Sequence, residues 1–278
     1  MIQPLSSDLF TELTALMSNY SFYPNKSLGQ HFIVNQEIIE RIVKEAELNE
    51  KDAVLEIGAG TGFLTRELQK RCKVIAVEID GMLVELLGNE LPKKNLQIIN
   101  ENFIFAKLPK FNKVVSFPPY TISSKIMNRL FNLKFELALL VFQKEFAEKL
   151  TAFPGLVEYN AASVLTQYYF EPKIVCPVPK GSFFPKPKTD SALLRLVSKK
   201  RFGRAKNEAA FQLFLKSLFR YGNRNLRKAL LLSFPFIKKV MKLNKKTFEK
   251  KTEEIKIKEK KVYLLEVKEF VEVFNKLV

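Results

Sequence analysis

One glycine-rich stretch constrains the fold of this chain more than any other feature. The apolar run at residues 54–57 enters a loop with glycine at Gly58, Gly60 and Gly62. A helical pattern follows, and then a second apolar run ends near Glu78. This order predicts a strand, a tight turn, a helix and a second strand with a carboxylate at its tip. Because glycine lacks a Cβ, such a turn can place backbone N–H groups against a ligand.

The spacing of these glycines indicates the kind of ligand. The pattern is G-x-G-x-G and differs from the G-x-G-x-x-G of dinucleotide-binding turns. A carboxylate about 20 residues beyond such a turn can accept both hydroxyls of a ribose. The pattern therefore favours a nucleoside cofactor without a pyrophosphate, such as S-adenosylmethionine (SAM), over NAD. The alternative is an ordinary glycine-rich turn that binds no ligand.

The positive charge of the chain is concentrated in its last 80 residues. The 278 residues carry a formal net charge of +17, and residues 199–278 alone hold 23 basic and 8 acidic residues. A basic module beside a nearly neutral region predicts a polyanionic partner, most simply nucleic acid. A solvated lysine-rich surface is the alternative, especially for residues 245–261, where glutamates are interleaved.

Several residue types limit the remaining function classes. The two cysteines, Cys72 and Cys176, lie far apart in apolar surroundings, which is typical of reduced core residues in an intracellular protein. His31 is the only histidine, so we expect neither a histidine-based metal site nor a Ser-His-Asp triad. We also expect no membrane span and no targeting peptide, and hence a cytoplasmic location.

Apolar runs alternate with helical patterns along most of the chain. The predicted strands are Ala53–Ile57, Val74–Val77, Leu96–Ile99, Val114–Ser116, Leu137–Phe142, Lys173–Pro177 and Ala192–Val197. The alternation predicts an α/β fold with a parallel, doubly wound, Rossmann-like sheet. Ligands of such sheets bind beyond the carboxyl ends of the strands, where Gly58, Glu78, Asn102 and Phe117 fall.

The predicted domains follow from composition and periodicity. Residues 1–22 form an amphipathic extension that packs on a domain spanning residues 23–198, and a small all-α basic domain covers residues 199–278. Prolines stiffen residues 177–187 and deny that segment sheet hydrogen bonds, so we expect a loop that presents Phe183 and Phe184. The alternative for at least one of these phenylalanines is burial in the core.

The segment Val114–Tyr120, which reads VVSFPPY, is where we expect the chemistry. Enzymes of this fold that methylate amines carry Asn/Asp-Pro-Pro-Tyr or Asn-Leu/Ile-Pro-Tyr there. The adenine 6-amino group is a poor nucleophile, and two oxygen acceptors hold its hydrogens and aim its lone pair at the methyl donor. An aromatic residue stacks on the base, which must leave its helix to enter the pocket. Positioning and electrostatics then supply most of the rate.

At this point the chain resembles the small-subunit ribosomal RNA adenine dimethyltransferases, the KsgA-type family, with the archaeal and eukaryotic branch nearest. The resemblance runs from about Asn25 to Leu232. It rests on the glycine loop and on the segments Lys26–Phe32, Glu78–Asp80, Pro119–Tyr120, Ile122–Ser124, Gln143–Glu145, Phe183–Ser191, Asn223–Arg224 and Leu226–Lys228. It implies a class I SAM-dependent methyltransferase domain that dimethylates two adjacent adenosines near the 3′ end of small-subunit rRNA.

The resemblance also implies roles for individual residues. The residues expected to line the SAM site are Gln30, His31, Ile33, Gly58, Gly60, Glu78, Asn102 and Phe117, with Glu78 on the ribose hydroxyls and Asn102 on the adenine. Phe117, Pro118, Tyr120 and Phe183 form the expected catalytic set, in which Tyr120 and Phe183 cover the two sides of the target base.

The phosphate contacts are predicted from the sequence pattern instead. An apolar stripe at helical spacing comprises Phe211, Phe214, Leu215, Leu218 and Phe219, and the basic residues after it fit the outward face of a docked helix. The expected phosphate contacts are Arg220, Arg224, Arg227 and Lys228.

Two residues depart from the family pattern. Phe117 occupies the position of the motif asparagine, so one of the two acceptors for the amine is absent. The loss of such a group costs about 3 kcal/mol, or roughly a hundredfold in rate. Ser116 is a poor substitute, because neighbouring strand residues point to opposite faces. Asn102 stands in place of an aspartate, and its amide oxygen can still accept a hydrogen bond.

Two hypotheses therefore stand beside each other. The first is an active rRNA dimethyltransferase with slowed chemistry, and the second is a non-catalytic RNA-binding protein that assists ribosome assembly. A DNA or protein amine methyltransferase ranks below both, because it predicts neither the segment 183–191 nor the basic module. The expected partner is small-subunit rRNA or the small ribosomal subunit, the expected metal is none, and a monomer is the default.

Overall fold

A computed structural model describes residues 8–199, 203–241 and 243–278 of the chain. The helices in this part are α1 (Leu9–Asn19), α2 (Gln36–Glu45), α3 (Phe63–Gln69), α4 (Gly81–Glu90), α5 (Ser123–Leu130), α6 (Lys144–Thr151), α7 (Ala161–Tyr169), α8 (Glu208–Leu218), α9 (Leu226–Met241), α10 (Lys245–Glu253) and α11 (Val267–Leu277). The strands are β1 (Phe32–Ile33), β2 (Ala53–Ile57), β3 (Lys73–Glu78), β4 (Leu96–Asn100), β5 (Lys113–Ser116), β6 (Leu137–Gln143), β7 (Phe170–Val178), β8 (Phe183–Phe184) and β9 (Ser191–Ser198). The order confirms the predicted α/β class.

Seven of these strands form one sheet in the order β4-β3-β2-β5-β6-β9-β7. The pairs from β4 through β6 are parallel, and β9 runs antiparallel to β6. The chain moves outward from β2 to β4, returns to place β5 beside β2, and then moves outward in the other direction. This reversal between β2 and β5 is the point at which doubly wound sheets bind ligands.

Local sequence explains the central strands and the helix before them. Residues 137–142 of β6 are buried without interruption, as expected for a strand covered on both faces. Helix α2 begins after Asn35, whose side chain accepts a hydrogen bond from Ile38 N at 3.1 Å. Its buried residues, Ile39, Ile42 and Val43, recur at helical spacing along one face.

Helix α1 packs its apolar face into the core that surrounds the sheet. Leu9, Leu13 and Leu16 are buried in the same cluster as Phe32. Phe10 is more exposed, and its ring lies edge-on to Phe184 with centroids 5.4 Å apart. The N-terminal extension therefore contacts the segment that the sequence predicts to be a loop.

The proline-rich segment 177–187 differs from the predicted loop. Phe183 and Phe184 form β8, which pairs antiparallel with β1. Pro177 lies within β7, at the outer edge of the sheet, where a missing N–H is tolerated. Phe183 is only 4% exposed, so burial holds for this residue of the pair. The prolines stiffen the segment, yet the two residues between them are free to pair.

The described residues pack as two compact units. The first unit takes the residues up to Ala147 together with Lys173–Ser198, and the second takes Glu148–Pro172 with Lys199–Val278. The segment 148–172 joins the second unit although the predicted boundary lies near Ser198–Gly203. Within that unit, Tyr168 packs on Phe211 with ring centroids 5.1 Å apart. No helix in the described ranges is long and apolar enough to cross a membrane.

The second unit is built around aromatic side chains of α8 and α11. The buried residues Phe211, Phe214 and Leu218 follow the apolar stripe predicted from the sequence. Phe274 of α11 contacts Phe211 and Phe214, with ring centroids 5.3 and 5.5 Å away. The described part of the chain after α8 contains three further helices, in agreement with the predicted all-α module.

Candidate active site

The main cleft of the first unit lies at the carboxyl ends of β2, β3 and β5, at the reversal point of the sheet. Four chain segments supply most of its walls. They are residues 27–32, the loops after β2 and β3, and residues 117–122. Phe183 and the loop at residues 101–103 complete the lining. The fold thus brings together motifs that lie about 150 residues apart in sequence.

The glycine loop and Glu78 form the floor of the cleft. Gly58, Gly60 and Gly62 all adopt positive φ, which glycine tolerates at no steric cost. A Cβ on Gly58 would lie 3.2 Å from Pro119, and one on Gly62 would lie 2.7 Å from Leu87. The loop therefore needs glycine both for its conformation and for its close approach to neighbouring segments.

The carboxylate of Glu78 is buried and oriented by backbone donors. Its oxygens accept hydrogen bonds from Gly60 N at 3.0 Å, Ile79 N at 2.8 Å and Asp80 N at 3.0 Å. Burial nevertheless raises the pKa of Glu78, because desolvation outweighs these donors. Oε1 accepts two of these bonds and Oε2 accepts one, so Oε2 keeps one lone-pair site for a ligand hydroxyl.

The segment before β1 is tied to the site at two points. The side-chain amide of Gln30 donates to Asp80 at 2.8 Å, and its oxygen accepts from Asn25 N at 2.7 Å. His31 Nδ1 lies 2.5 Å from the carbonyl oxygen of Pro185. Because a carbonyl only accepts, Nδ1 of His31 carries the proton. Gln30 and His31 both line the cleft, as the resemblance implied.

Tyr120 is held in the cleft by two ring contacts and one hydrogen bond. It stacks on His31 with centroids 5.8 Å apart and meets Phe183 edge-on at 6.3 Å. Its hydroxyl lies 2.7 Å from Ser191 Oγ, and burial raises the pKa of Tyr120 to about 12. The ring is therefore neutral and fixed in place. Ser191 lies in the segment that carried the resemblance, but its contact with Tyr120 was not predicted.

Phe117 also lines the cleft, where the family motif has an asparagine. Its ring meets Phe183 edge-on with centroids 6.0 Å apart. Ser116 turns away from the cleft, since its hydroxyl donates to Ile57 O at 2.6 Å and accepts from Ile57 N at 3.2 Å. The hydroxyl is thus committed to the β2–β5 pair, as the alternation of strand side chains requires. No described residue donates a hydrogen bond to the carbonyl of Pro118.

Asn102 and Ile33 occupy different environments. Asn102 lines the cleft, and its side-chain oxygen accepts from Ile104 N at 2.9 Å, which orients the amide. Ile33 is 6% exposed and belongs to the hydrophobic core, outside the lining of the cleft. The structure therefore places Ile33 behind the site, because strand alternation turns it away from the side of Phe32.

Arg129 of α5 supports the cleft and was not found by sequence reasoning. Its guanidinium lies 4.5 Å from the ring centroid of Phe103, a cleft residue, and donates to the carbonyl of Ala106. Burial lowers the pKa of Arg129, partly offset by the charge of Glu101. Helical spacing alone does not distinguish this residue from an ordinary surface arginine.

The basic residues predicted to contact phosphates lie in the second unit. Arg220, Arg224, Arg227 and Lys228 are all exposed. Arg227 forms an ion pair with Glu253, and Arg220 lies over the ring of Phe236. In the described ranges, no group of three His, Cys, Asp or Glu side chains is arranged to hold a metal ion.

The lining residues fit a nucleoside cofactor such as SAM. Glu78 offers paired acceptor oxygens at the tip of β3, and Ile79, Leu83 and Phe103 provide an apolar slot for a base. The glycine loop leaves open the space that a Cβ would fill beside Pro119. These features correspond to a ribose acceptor, an adenine slot and a close backbone approach.

The chain matches known proteins over most of its length. The family model described as ribosomal RNA adenine dimethylase matches residues 22–272. A probable ribosomal RNA small subunit methyltransferase A from Pyrococcus abyssi is 38% identical over 254 residues, which cover 87% of this chain and 93% of the relative. A similarly named protein from Methanopyrus kandleri is 40% identical over 225 residues, covering 80% of this chain and 81% of the relative.

Solved structures show the same fold. A dimethyladenosine transferase from Plasmodium falciparum superposes with a TM-score of 0.78 at 29% identity, covering 89% of this chain and 98% of that one. The 23S rRNA methyltransferase ErmE superposes with a TM-score of 0.63 at 27% identity, covering 88% of this chain and 99% of that one. The comparisons confirm the resemblance inferred from the sequence motifs.

Proposed function

The chain belongs to the ribosomal RNA adenine dimethylase family, and from this premise we propose that it methylates the 6-amino groups of two adjacent adenosines near the 3′ end of small-subunit rRNA. The proposed methyl donor is SAM, and the proposed setting is ribosome biogenesis in the cytoplasm, with the chain acting as a monomer. The observation that carries the proposal is the cleft, which joins Glu78, the glycine loop and Tyr120 at the reversal point of the sheet.

Bound SAM supplies an electrophilic methyl group on a sulfonium. We assign Glu78 to the ribose hydroxyls, since its carboxylate is fixed by three backbone N–H groups and faces the cleft. Asn102 presents an oriented amide to the adenine of the cofactor. Gln30 and His31 close the opposite wall, and the glycines admit the ligand close to the backbone.

The target adenine is held by aromatic rings and by one backbone acceptor. Tyr120 and Phe183 meet edge to face with centroids 6.3 Å apart, so we assign Tyr120 to stack on the flipped base and Phe183 to border the same pocket. The carbonyl of Pro118 is the remaining acceptor for an amine hydrogen. With one acceptor retained and one lost, positioning between aromatic rings carries more of the rate than in relatives with asparagine at this place.

Phe117 supports a second candidate function. Its ring lies in the cleft without any hydrogen-bonding group, so it removes the side-chain acceptor and takes up space beside Phe183. A chain disabled in this way would act as an RNA-binding assembly factor. Family membership, together with the retained glycine loop, Glu78 and Tyr120, favours the enzyme.

The test is methyl transfer from labelled SAM to small ribosomal subunits that lack the modification. We expect transfer by the chain as it stands and about a hundredfold faster transfer by the Phe117→Asn variant, because the variant restores the second acceptor. Phe117→Leu is the matched control, since it reduces the ring without adding an acceptor. Transfer by the Phe117→Asn variant alone would establish the RNA-binding function for this chain.

A further inference from the structure

One stretch of the second unit, residues 209–248, is rich in basic residues and contains no acidic residue. The forty residues from Ala209 to Phe248 contain ten lysines and arginines and no aspartate or glutamate. Apart from Glu208 at the first position of α8, helices α8 and α9 lie within this stretch, and a hydrogen bond from Ser233 Oγ to Ser217 O at 3.1 Å joins them. Beyond Glu208, the two helices therefore carry no acidic side chain.

The two helices expose both apolar and basic side chains. Leu213, Leu232 and Phe236 are 38%, 39% and 45% exposed, which is high for large apolar side chains. Lys216 and Lys239 are exposed on the same two helices. Exposed apolar groups among cations are typical of binding surfaces for single-stranded nucleic acid, in which rings stack and cations follow the backbone.

Arg220, just after α8, contacts Phe236 of α9. The Arg220 guanidinium carbon lies 4.3 Å from the centroid of the Phe236 ring. Arg227 is engaged by Glu253, whereas no acidic side chain in the described ranges pairs with Arg220. A guanidinium that lies on an aromatic ring keeps its second face and its N–H donors available.

We propose that Arg220 and Phe236 form a stacking platform for an unpaired nucleotide of the RNA substrate. The base stacks on the face of the guanidinium or of the phenylalanine ring, and the flanking lysines meet the adjoining phosphates. The absence of acids favours a polyanion over an apolar protein partner. The proposal rests on the proposed function, because it assumes that RNA is the substrate. It adds Phe236, as a stacking residue, to the basic residues that are predicted to contact phosphates.

The test measures binding of the full chain to a fluorescent single-stranded oligoadenylate of about 12 nucleotides and to a duplex RNA of similar length. We expect Phe236→Leu to weaken binding of the single strand by about fivefold or more, since it keeps the apolar contact but removes the stacking face. Phe236→Trp should bind within about twofold of the unmodified chain. Neither change should alter the salt dependence, because neither removes a charge.

Two further variants separate stacking from charge and from general apolar contact. Arg220→Lys keeps the charge and loses the planar group, so it should weaken single-strand binding at an unchanged salt slope. Leu232→Ala is the matched control, because Leu232 is one helical turn away and similarly exposed. Circular dichroism of each variant checks that the helices are intact.

Three results would overturn the platform. The first is a Phe236→Leu variant with unchanged affinity for the single strand. The second is an equal loss for single strand and duplex, which would indicate phosphate contact alone. The third is an equal loss for Leu232→Ala and Phe236→Leu, which would show that general apolar contact, and not ring stacking, carries the affinity. Methyl transfer does not enter this measurement, so failure of the proposed function would be seen separately.

Discussion

Glu56 provides a sharp test of the electrostatics under the cleft. It lies in β2, is 2% exposed, and accepts a hydrogen bond from Thr65 Oγ1 at 2.7 Å. Burial raises the pKa of Glu56 to about 8, with a smaller contribution in the same direction from the negative charge of Glu78 and a partial offset from Thr65. The fold therefore favours the protonated carboxyl.

The sign of the effect on stability follows from this pKa. Below the ordinary glutamate value of 4.5, the carboxyl is protonated in both the folded and the unfolded chain, so Glu56 carries no penalty. Between 4.5 and about 8 the unfolded chain releases the proton first, and the free energy of unfolding falls as pH rises. At about 1.4 kcal/mol per pKa unit, the full effect reaches ~5 kcal/mol above pH 8.

The perturbation is Glu56→Gln, which keeps the shape and the acceptor for Thr65 but cannot ionise. Urea unfolding followed by circular dichroism, at about pH 5 and about pH 8.5, gives the free energy of unfolding for both chains. We expect the variant to gain at least ~2 kcal/mol relative to the unmodified chain between these two pH values. The exposed Glu50→Gln variant should follow the unmodified chain. Parallel pH profiles for Glu56→Gln and the unmodified chain would refute the reasoning.

Two further predictions concern Lys113, which is buried, and Arg129, which is half-buried. Lys113→Met should destabilise the fold by about 3–5 kcal/mol, because Lys113 forms an ion pair with Asp52 at 2.9 Å in the interior and its loss leaves a buried, unpaired carboxylate. Thermal unfolding measures the loss, with Lys110→Met at an exposed position as the control. Equal melting temperatures for the two variants would contradict the prediction. Arg129→Met should weaken SAM binding about tenfold, because the loop that carries Phe103 loses its contact with the guanidinium. A tenfold change in Kd corresponds to about 1.4 kcal/mol of binding free energy. Calorimetry measures the Kd, with Lys125→Met as the control, and an unchanged Kd would exclude a positioning role for Arg129.

Much of the fold could be predicted from the sequence because its signals are local. Uninterrupted apolar runs, such as residues 137–142, identify buried strands from composition alone. Glycine at positions 58, 60 and 62 requires a tight turn, and the structure gives all three a positive φ. Since parallel strands end at a common edge, the proximity of Glu78, Asn102 and Phe117 in one cleft also follows from their positions in the chain.

What the sequence did not predict depends on contacts between distant segments. Phe183 pairs in a strand because Ile33, 150 residues earlier, offers a free backbone edge. The segment 148–172 joins the second unit because Tyr168 finds Phe211, which no local pattern reveals. Arg129 supports the cleft through a ring on another loop. In each case the deciding partner is chosen by tertiary packing, which overrides local propensity.

In the proposed reaction, the residues that bind the ligands differ from the groups that activate the amine. The glycine loop, Glu78 and Asn102 are the groups assigned to the cofactor, and none of them depends on Phe117 for its hydrogen bonds. The aromatic pair Tyr120 and Phe183 is likewise fixed by Ser191 and by β1. Replacement of the asparagine therefore removes about 3 kcal/mol from one step, whereas enzymes supply at least ~8 kcal/mol in total. We therefore expect the proposed activity to be slowed and not abolished, with a rate that depends on the Pro118 carbonyl and the two rings.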